Sequence, residues 1–134
     1  MEPTLFDTTV WVDFIKGVDS RQTQRLEHTI RQQADFVLLT PTIWQEILQG
    51  LRTETDFNRT RAILQAFPIL APDRAEISVQ AAWLYFSLRK KGVTVRKSTD
   101  CLIAQTALHY DVLLVHNDSD FDLIAAHTPL RTFR

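Results

Sequence analysis

Short, largely apolar runs alternate along this chain with longer stretches of helical spacing, and that alternation restricts the folds open to it. Thr4 to Phe6, Phe36 to Leu39 and Val112 to Val115 read as short strands, the last being the clearest buried one. Between them the apolar residues recur every three or four positions. Val10, Trp11, Phe14 and Ile15 form a first helical stretch closed by Gly17. Residues 20–33 follow as a polar amphipathic helix anchored by Leu26 and Ile30. Thr40-Pro41 announces a third helix, with Ile43, Ile47, Leu48 and Leu51 on one face. On another face Glu46 and Gly50 stand four apart, and Gly50 is expected to admit a neighbouring backbone.

Residues 55–66 predict a further helix with Phe57, Leu64 and Phe67 towards the core, and Phe67 to Leu70 a strand or extended link. Asp73 caps a helix that runs to about Lys91, with the stripe Ile77, Ala81, Leu84 and Leu88. A second stripe on that helix, Val79, Trp83 and Phe86, predicts burial between layers or a subunit interface. A helix over 99–110, a short one from about Asp120 to Ala126 and a last strand near Leu130 to Phe133 complete the order. Strand alternating with helix defines an α/β fold, a short parallel sheet of about four or five strands covered by helices on both faces. At 134 residues, with 45% hydrophobic and 23% charged positions, the chain fits one domain, 1–134.

Four acidic residues occupy the edges of these apolar segments. Asp7 follows Leu5-Phe6, Glu46 lies within P-T-I-W-Q-E-I-L-Q-G, Asp100 opens D-C-L-I-A-Q-T-A-L, and Asp118 follows V-L-L-V. In an α/β sheet the carboxyl ends of the strands and the adjoining helices share one crevice. Carboxylates gathered there raise each other's pKa unless a cation compensates, and hard divalent ions choose such all-oxygen sites. Taken singly, Asp7, Asp100 and Asp118 are also ordinary helix caps. Glu46, mid-helix among apolar neighbours, is not.

The net charge is −1, so bulk charge does not mark a nucleic-acid binder. The segment R-K-K-G-V-T-V-R-K at 89–97 nevertheless holds five of fifteen basic residues and leads into Asp100. Beside an acidic site, Arg96 and Lys97 are placed to hold a phosphate backbone; an ordinary solvated helix end ending at Gly92 is the competing reading. Were the segment structural, Arg21, Arg25 and Arg31 offer the other basic surface. Cys101 stands alone, which excludes an internal disulfide and fits a reducing, cytoplasmic setting; it reads as packing. No apolar run approaches the roughly 20 residues of a membrane span, and no secretory signal opens the chain. His28, His109, His116 and His127 lack zinc-ligand spacing, and only His116 lies near the acids. Asp13 and Asp122 read as surface residues, and the three tryptophans as core or interface.

Four blocks in this order resemble the PIN domain, and within it the VapC-type toxin ribonucleases of bacterial toxin–antitoxin pairs. They are D-T-T-V-W-V-D at 7–13, E-I-L-Q-G at 46–50, R-K-S-T-D-C-L-I-A at 96–104 and L-L-V-H-N-D-S-D-F at 113–121. The resemblance covers essentially the whole chain. It implies a metal-dependent endoribonuclease with Asp7 and Asp100 as principal ligands of Mg²⁺ or Mn²⁺, and Glu46 and Asp118 completing the site. Thr9, His116, Asn117, Asp120, Arg96 and Lys97 would stand behind them or touch substrate. His116 replaces the threonine or serine common in the family two residues before the fourth acid. The resemblance also implies an RNA substrate, a cognate antitoxin and a homodimer. Two other classes compete with this one. An aspartyl-phosphate phosphohydrolase or phosphoacceptor would use Asp7, but the second aspartate expected two residues on is Thr9. A non-catalytic RNA-binding module would have no need of clustered carboxylates, which cost stability.

Overall fold

A computed structural model describes residues 1–134. Its strands are β1 (Thr4–Phe6), β2 (Val37–Leu38), β3 (Leu113–Val115) and β4 (Thr132–Phe133), arranged β2-β1-β3-β4. Every pairing is parallel: Leu5 lies opposite Leu38 on one side and Leu114 on the other, and Val115 pairs with Phe133. All three residues of β1 and of β3 are buried, as a central strand covered on both faces requires. A fifth position exists only as a single parallel bridge between Leu39 and Ile69, so the 67–70 segment is an extended link rather than a strand. Leu39 and Leu70 exchange into that link through Leu70 N–H donating to Leu39 O at 2.7 Å.

The helices are α1 (Thr8–Ile15), α2 (Arg21–Gln32), α3 (Pro41–Gln49), α4 (Glu54–Leu64), α5 (Arg74–Lys90), α6 (Ser98–Tyr110) and α7 (Ser119–Ala126), with a 3-10 turn at Ala34–Phe36. Their starts follow from capping side chains. Ser20 and Thr23 form a reciprocal capping box on α2, Thr40 caps α3 ahead of Pro41, Thr53 caps α4 and Asp73 caps α5. Gly92 adopts φ +82°, which turns the chain out of α5 as expected. Twenty-four buried apolar residues form the core cluster, from Leu5 and Phe6 through Leu114, Val115 and Phe121.

Three expectations change. Phe57 is 38% exposed, because α4 reaches the core only through Leu64. Gly50 caps α3, and a Cβ there would meet only the Glu46 and Ile47 carbonyls of its own helix; no neighbouring backbone approaches. The stripe Val79, Trp83 and Phe86 is not buried between layers: Val79 is 70% and Trp83 67% exposed, while the Ile77, Ala81, Leu84 and Leu88 stripe faces inward.

Candidate active site

The parallel register brings the ends of β1 and β3 side by side, and the site begins there. Asp7 N–H donates to Val115 O at 2.9 Å, the last rung of that pair. Asp7 then caps α1: its Oδ2 accepts from Thr9 N–H at 3.2 Å and from the Thr9 hydroxyl at 2.8 Å. Thr9 Oγ1 also accepts from Asn117 N–H at 3.3 Å, so one threonine ties the β1–α1 turn to the β3–α7 turn. On α3, Glu46 Oε1 accepts from the Thr8 hydroxyl at 2.7 Å, which aims the glutamate at the same place.

Asp100 enters from the first turn of α6 and is 5% exposed; its Oδ2 is buried without any hydrogen-bond partner. Asp118 caps α7, its Oδ1 accepting from Asp120 N–H at 2.9 Å and from Arg96 Nη2 at 3.0 Å. Together Asp7, Glu46, Asp100 and Asp118 line one crevice of about 270 Å³ with Thr8, Thr9, Val12, Asp13 and Lys97. All four acids expected from the sequence therefore converge.

The electrostatics of the crevice are those of excess negative charge. Burial, then the neighbouring Asp7 and Asp118 carboxylates, push Asp100 up to about 7, with Lys97 opposing. Burial also raises Asp7 above the ordinary carboxylate range, against the lowering effect of its Thr9 bonds, and Glu46 adds to the rise. An orphaned buried oxygen beside carboxylates that resist ionisation is what a cation would satisfy, and an all-oxygen donor set suits a hard divalent ion. The residues fit such a group.

The remaining expected residues fall into place unevenly. Thr9 and Asn117 are joined to the site as described. His116 is fully buried, against Phe121, and does not face the crevice. Its Nδ1 accepts from Asp118 N–H at 3.1 Å, which leaves the proton on Nε2, 3.5 Å from Asp122 Oδ1. It supports the backbone of Asp118, and burial keeps its pKa low. Asp120 is also buried and outside the crevice lining; its Oδ2 accepts from Arg96 N–H at 3.2 Å and Arg96 Nε at 3.1 Å. Lys97 lines the crevice, whereas Arg89 and Lys90 lie over the rings of Tyr85 and Phe86. Arg21 and Arg25 both stack on Phe133. Sequence reasoning missed Thr8 and Asp13 as crevice residues. The signal for Asp13 was present: it stands four residues after Thr9 on α1 and shares its face.

A parallel sheet with helices on both faces and acids gathered at the carboxyl ends of its strands defines an α/β class with a candidate metal centre, and comparison with known proteins names the family. The model of the PIN domain family matches residues 4–126. Ribonuclease VapC11 of Mycobacterium tuberculosis is 32% identical over 127 residues, covering 95% of each chain. Among solved structures, VapBC-1 from nontypeable Haemophilus influenzae superposes with a TM-score of 0.73 at 18% identity, covering 97% of this chain and 96% of that one. A toxin–antitoxin complex from Klebsiella pneumoniae has a TM-score of 0.64 at 26% identity, covering 96% and 98%. This chain belongs to the PIN-domain family, and within it to the VapC ribonucleases. No helix is long and apolar enough to cross a membrane.

Proposed function

We propose that this chain is a metal-dependent endoribonuclease, the toxin of a toxin–antitoxin pair, and that it works as one domain in the cytoplasm with Mg²⁺ or Mn²⁺. The observation that carries the reading is the unpartnered, buried Oδ2 of Asp100, one of four convergent acids. When bound, a divalent cation supplies a water of lowered pKa and neutralises charge on the phosphate. The chain's own contribution is placement. Asp7 and Asp100 are the ligands from the ends of β1 and α6, and Glu46 and Asp118 close the set. Thr9 fixes the Asp7 carboxylate, Thr8 fixes Glu46, and the His116 ring fixes the Asp118 backbone. Lys97 stands at the rim, where an ammonium holds a phosphate oxygen of the RNA. Nothing in this arrangement requires a side-chain nucleophile.

The neighbouring structures are toxin–antitoxin complexes, which supports a protein partner of the antitoxin kind. An antitoxin that lays a basic side chain among these carboxylates would neutralise them in the cation's place and close the crevice to RNA. The test is cleavage of a mixed RNA pool by protein stripped with EDTA, then resupplied with Mg²⁺, Mn²⁺ or Ca²⁺. Activity is expected to return with the first two and poorly with Ca²⁺, whose looser coordination misplaces water and phosphate. A fully chelated preparation that still cleaves would defeat the reading.

A further inference from the structure

Arg96 forms two ion pairs at the edge of the crevice, one with the crevice acid Asp118 and one with Asp120 behind it. Oxygens of Asp100, Asp118 and Asp120 lie within 4.8 Å of one another, a spacing at which three carboxylates surround a cation. Two of those three are already committed. Arg96 Nη2 sits 3.0 Å from Asp118 Oδ1 and Arg96 Nε 3.1 Å from Asp120 Oδ2, while the Arg96 backbone N–H donates to the same Asp120 oxygen. The open crevice is lined instead by Asp7, Glu46, Asp100 and Asp118, without Asp120. Asp118 thus belongs to both groups, one oxygen held by Arg96 while the carboxylate still lines the crevice, and Asp7, Glu46 and Asp100 carry no ion pair.

We propose that Arg96 is a positioning residue that stands in for a second cation: it holds Asp118 and Asp120 together and confines divalent-ion binding to the Asp7–Asp100 side of the crevice. This rests on the reading of the crevice as a metal site. The planar guanidinium suits the task. It bridges two carboxylates through different nitrogens, stays charged at every accessible pH and cannot be mimicked by the single point charge of a lysine. The Asp120 bond to the Arg96 backbone sets the residue so that its side chain can reach back across 22 residues to Asp118. Two of the three guanidinium nitrogens are engaged in this way, so the main phosphate contact falls to Lys97.

Titration of the metal-free protein with Mn²⁺ alone, followed calorimetrically, separates the roles. Wild type is expected to bind one ion. Arg96→Gln is expected to gain a second site, or to bind at least about fivefold more tightly, because a positive charge has left the neighbourhood. Asp120→Asn should stay within about threefold of wild type, since it removes a partner of Arg96 and not a ligand, whereas Asp100→Asn should lose binding. Circular dichroism establishes that each variant is folded, and Asp120→Asn carries the test should Arg96→Gln not fold. Equal stoichiometry and affinity in wild type and folded Arg96→Gln would overturn the proposal, as would an Asp120→Asn protein as deficient as Asp100→Asn. A wild type that binds no Mn²⁺ defeats the metal reading itself; the difference between wild type and Arg96→Gln decides the role of Arg96.

Discussion

Asp100 concentrates the physics of the site in one carboxyl group. Its folded-state value near 7 lies above its ordinary 3.8, so the folded metal-free protein holds a proton that the unfolded chain has released. Wherever the folded state binds more protons, stability falls as pH rises. The metal-free protein is therefore expected to lose about 1 kcal/mol between pH 6 and pH 8, with Asp7 acting in the same direction. His116 opposes this at lower pH: its folded pKa is lowered, so its burial costs stability as pH falls below 6.5. Urea denaturation across that range measures the slope, and Asp100→Asn should flatten it and raise stability at pH 8. The same substitution removes an anionic carboxylate of the proposed metal site that the amide cannot replace, and RNA cleavage should drop at least about a hundredfold. A folded Asp100→Asn protein with full activity would dismiss Asp100 from the site.

At the scale of elements, the site is a set of junctions where strands hand over to helices. Thr9 joins two of them, so Thr9→Val removes both the hydroxyl bond to Asp7 and the acceptor for Asn117 N–H. A loss of about 1–2 kcal/mol is expected from the urea midpoint, together with weakened cleavage, and Thr9→Ser should restore both; a Thr9→Val protein with wild-type cleavage would remove Thr9 from the site. The junctions were legible in the sequence because each acid stands at the edge of an apolar run or on a helix that opens beside one. Glu46 stood out for the opposite reason, a charge mid-helix among apolar neighbours. Other features were not legible for physical reasons. The long side chain of Arg96 chooses partners 22 and 24 residues away, which no local spacing encodes. Phe57 has helical periodicity, but α4 has little to pack against, so amphipathic spacing overstated its burial. The basic segment 89–97 looked uniform, yet only Lys97 lines the crevice. In an Asp100→Asn background, Lys97→Gln should reduce the slope of log affinity against log salt by about 0.7, the share of one phosphate contact on single-stranded RNA. Arg96→Gln should leave that slope unchanged, and a loss there equal to that of Lys97 would return the guanidinium to the RNA.

On the scale of the whole molecule, α5 presents an apolar ridge that this single chain leaves bare. Val79, Trp83 and Phe86 repeat at spacings of four and three, and the Trp83 and Phe86 rings lie 5.4 Å apart. Shallow grooves of about 520 and 510 Å³ flank the ridge, lined by α5 and α6 with Thr128 and Pro129 at one side. Isolated exposed apolar side chains are ordinary, but a contiguous tryptophan-bearing stripe between two apolar grooves is the composition of an interface core. A ridge beside grooves is also self-complementary under a two-fold axis, which brings the ridge of one copy against the grooves of the other. The expected outcome is a homodimer whose light-scattering mass halves on dilution. Trp83→Arg should shift it to monomer at all accessible concentrations, because burying an unpaired guanidinium costs more than the lost contact. The inward stripe of α5 is untouched by that change, so the variant's circular dichroism should match wild type. A wild type that is monomeric at high micromolar concentration would remove the dimer. It would leave the crevice as it stands, since none of Val79, Trp83 and Phe86 lines it and each copy carries all four of its acids.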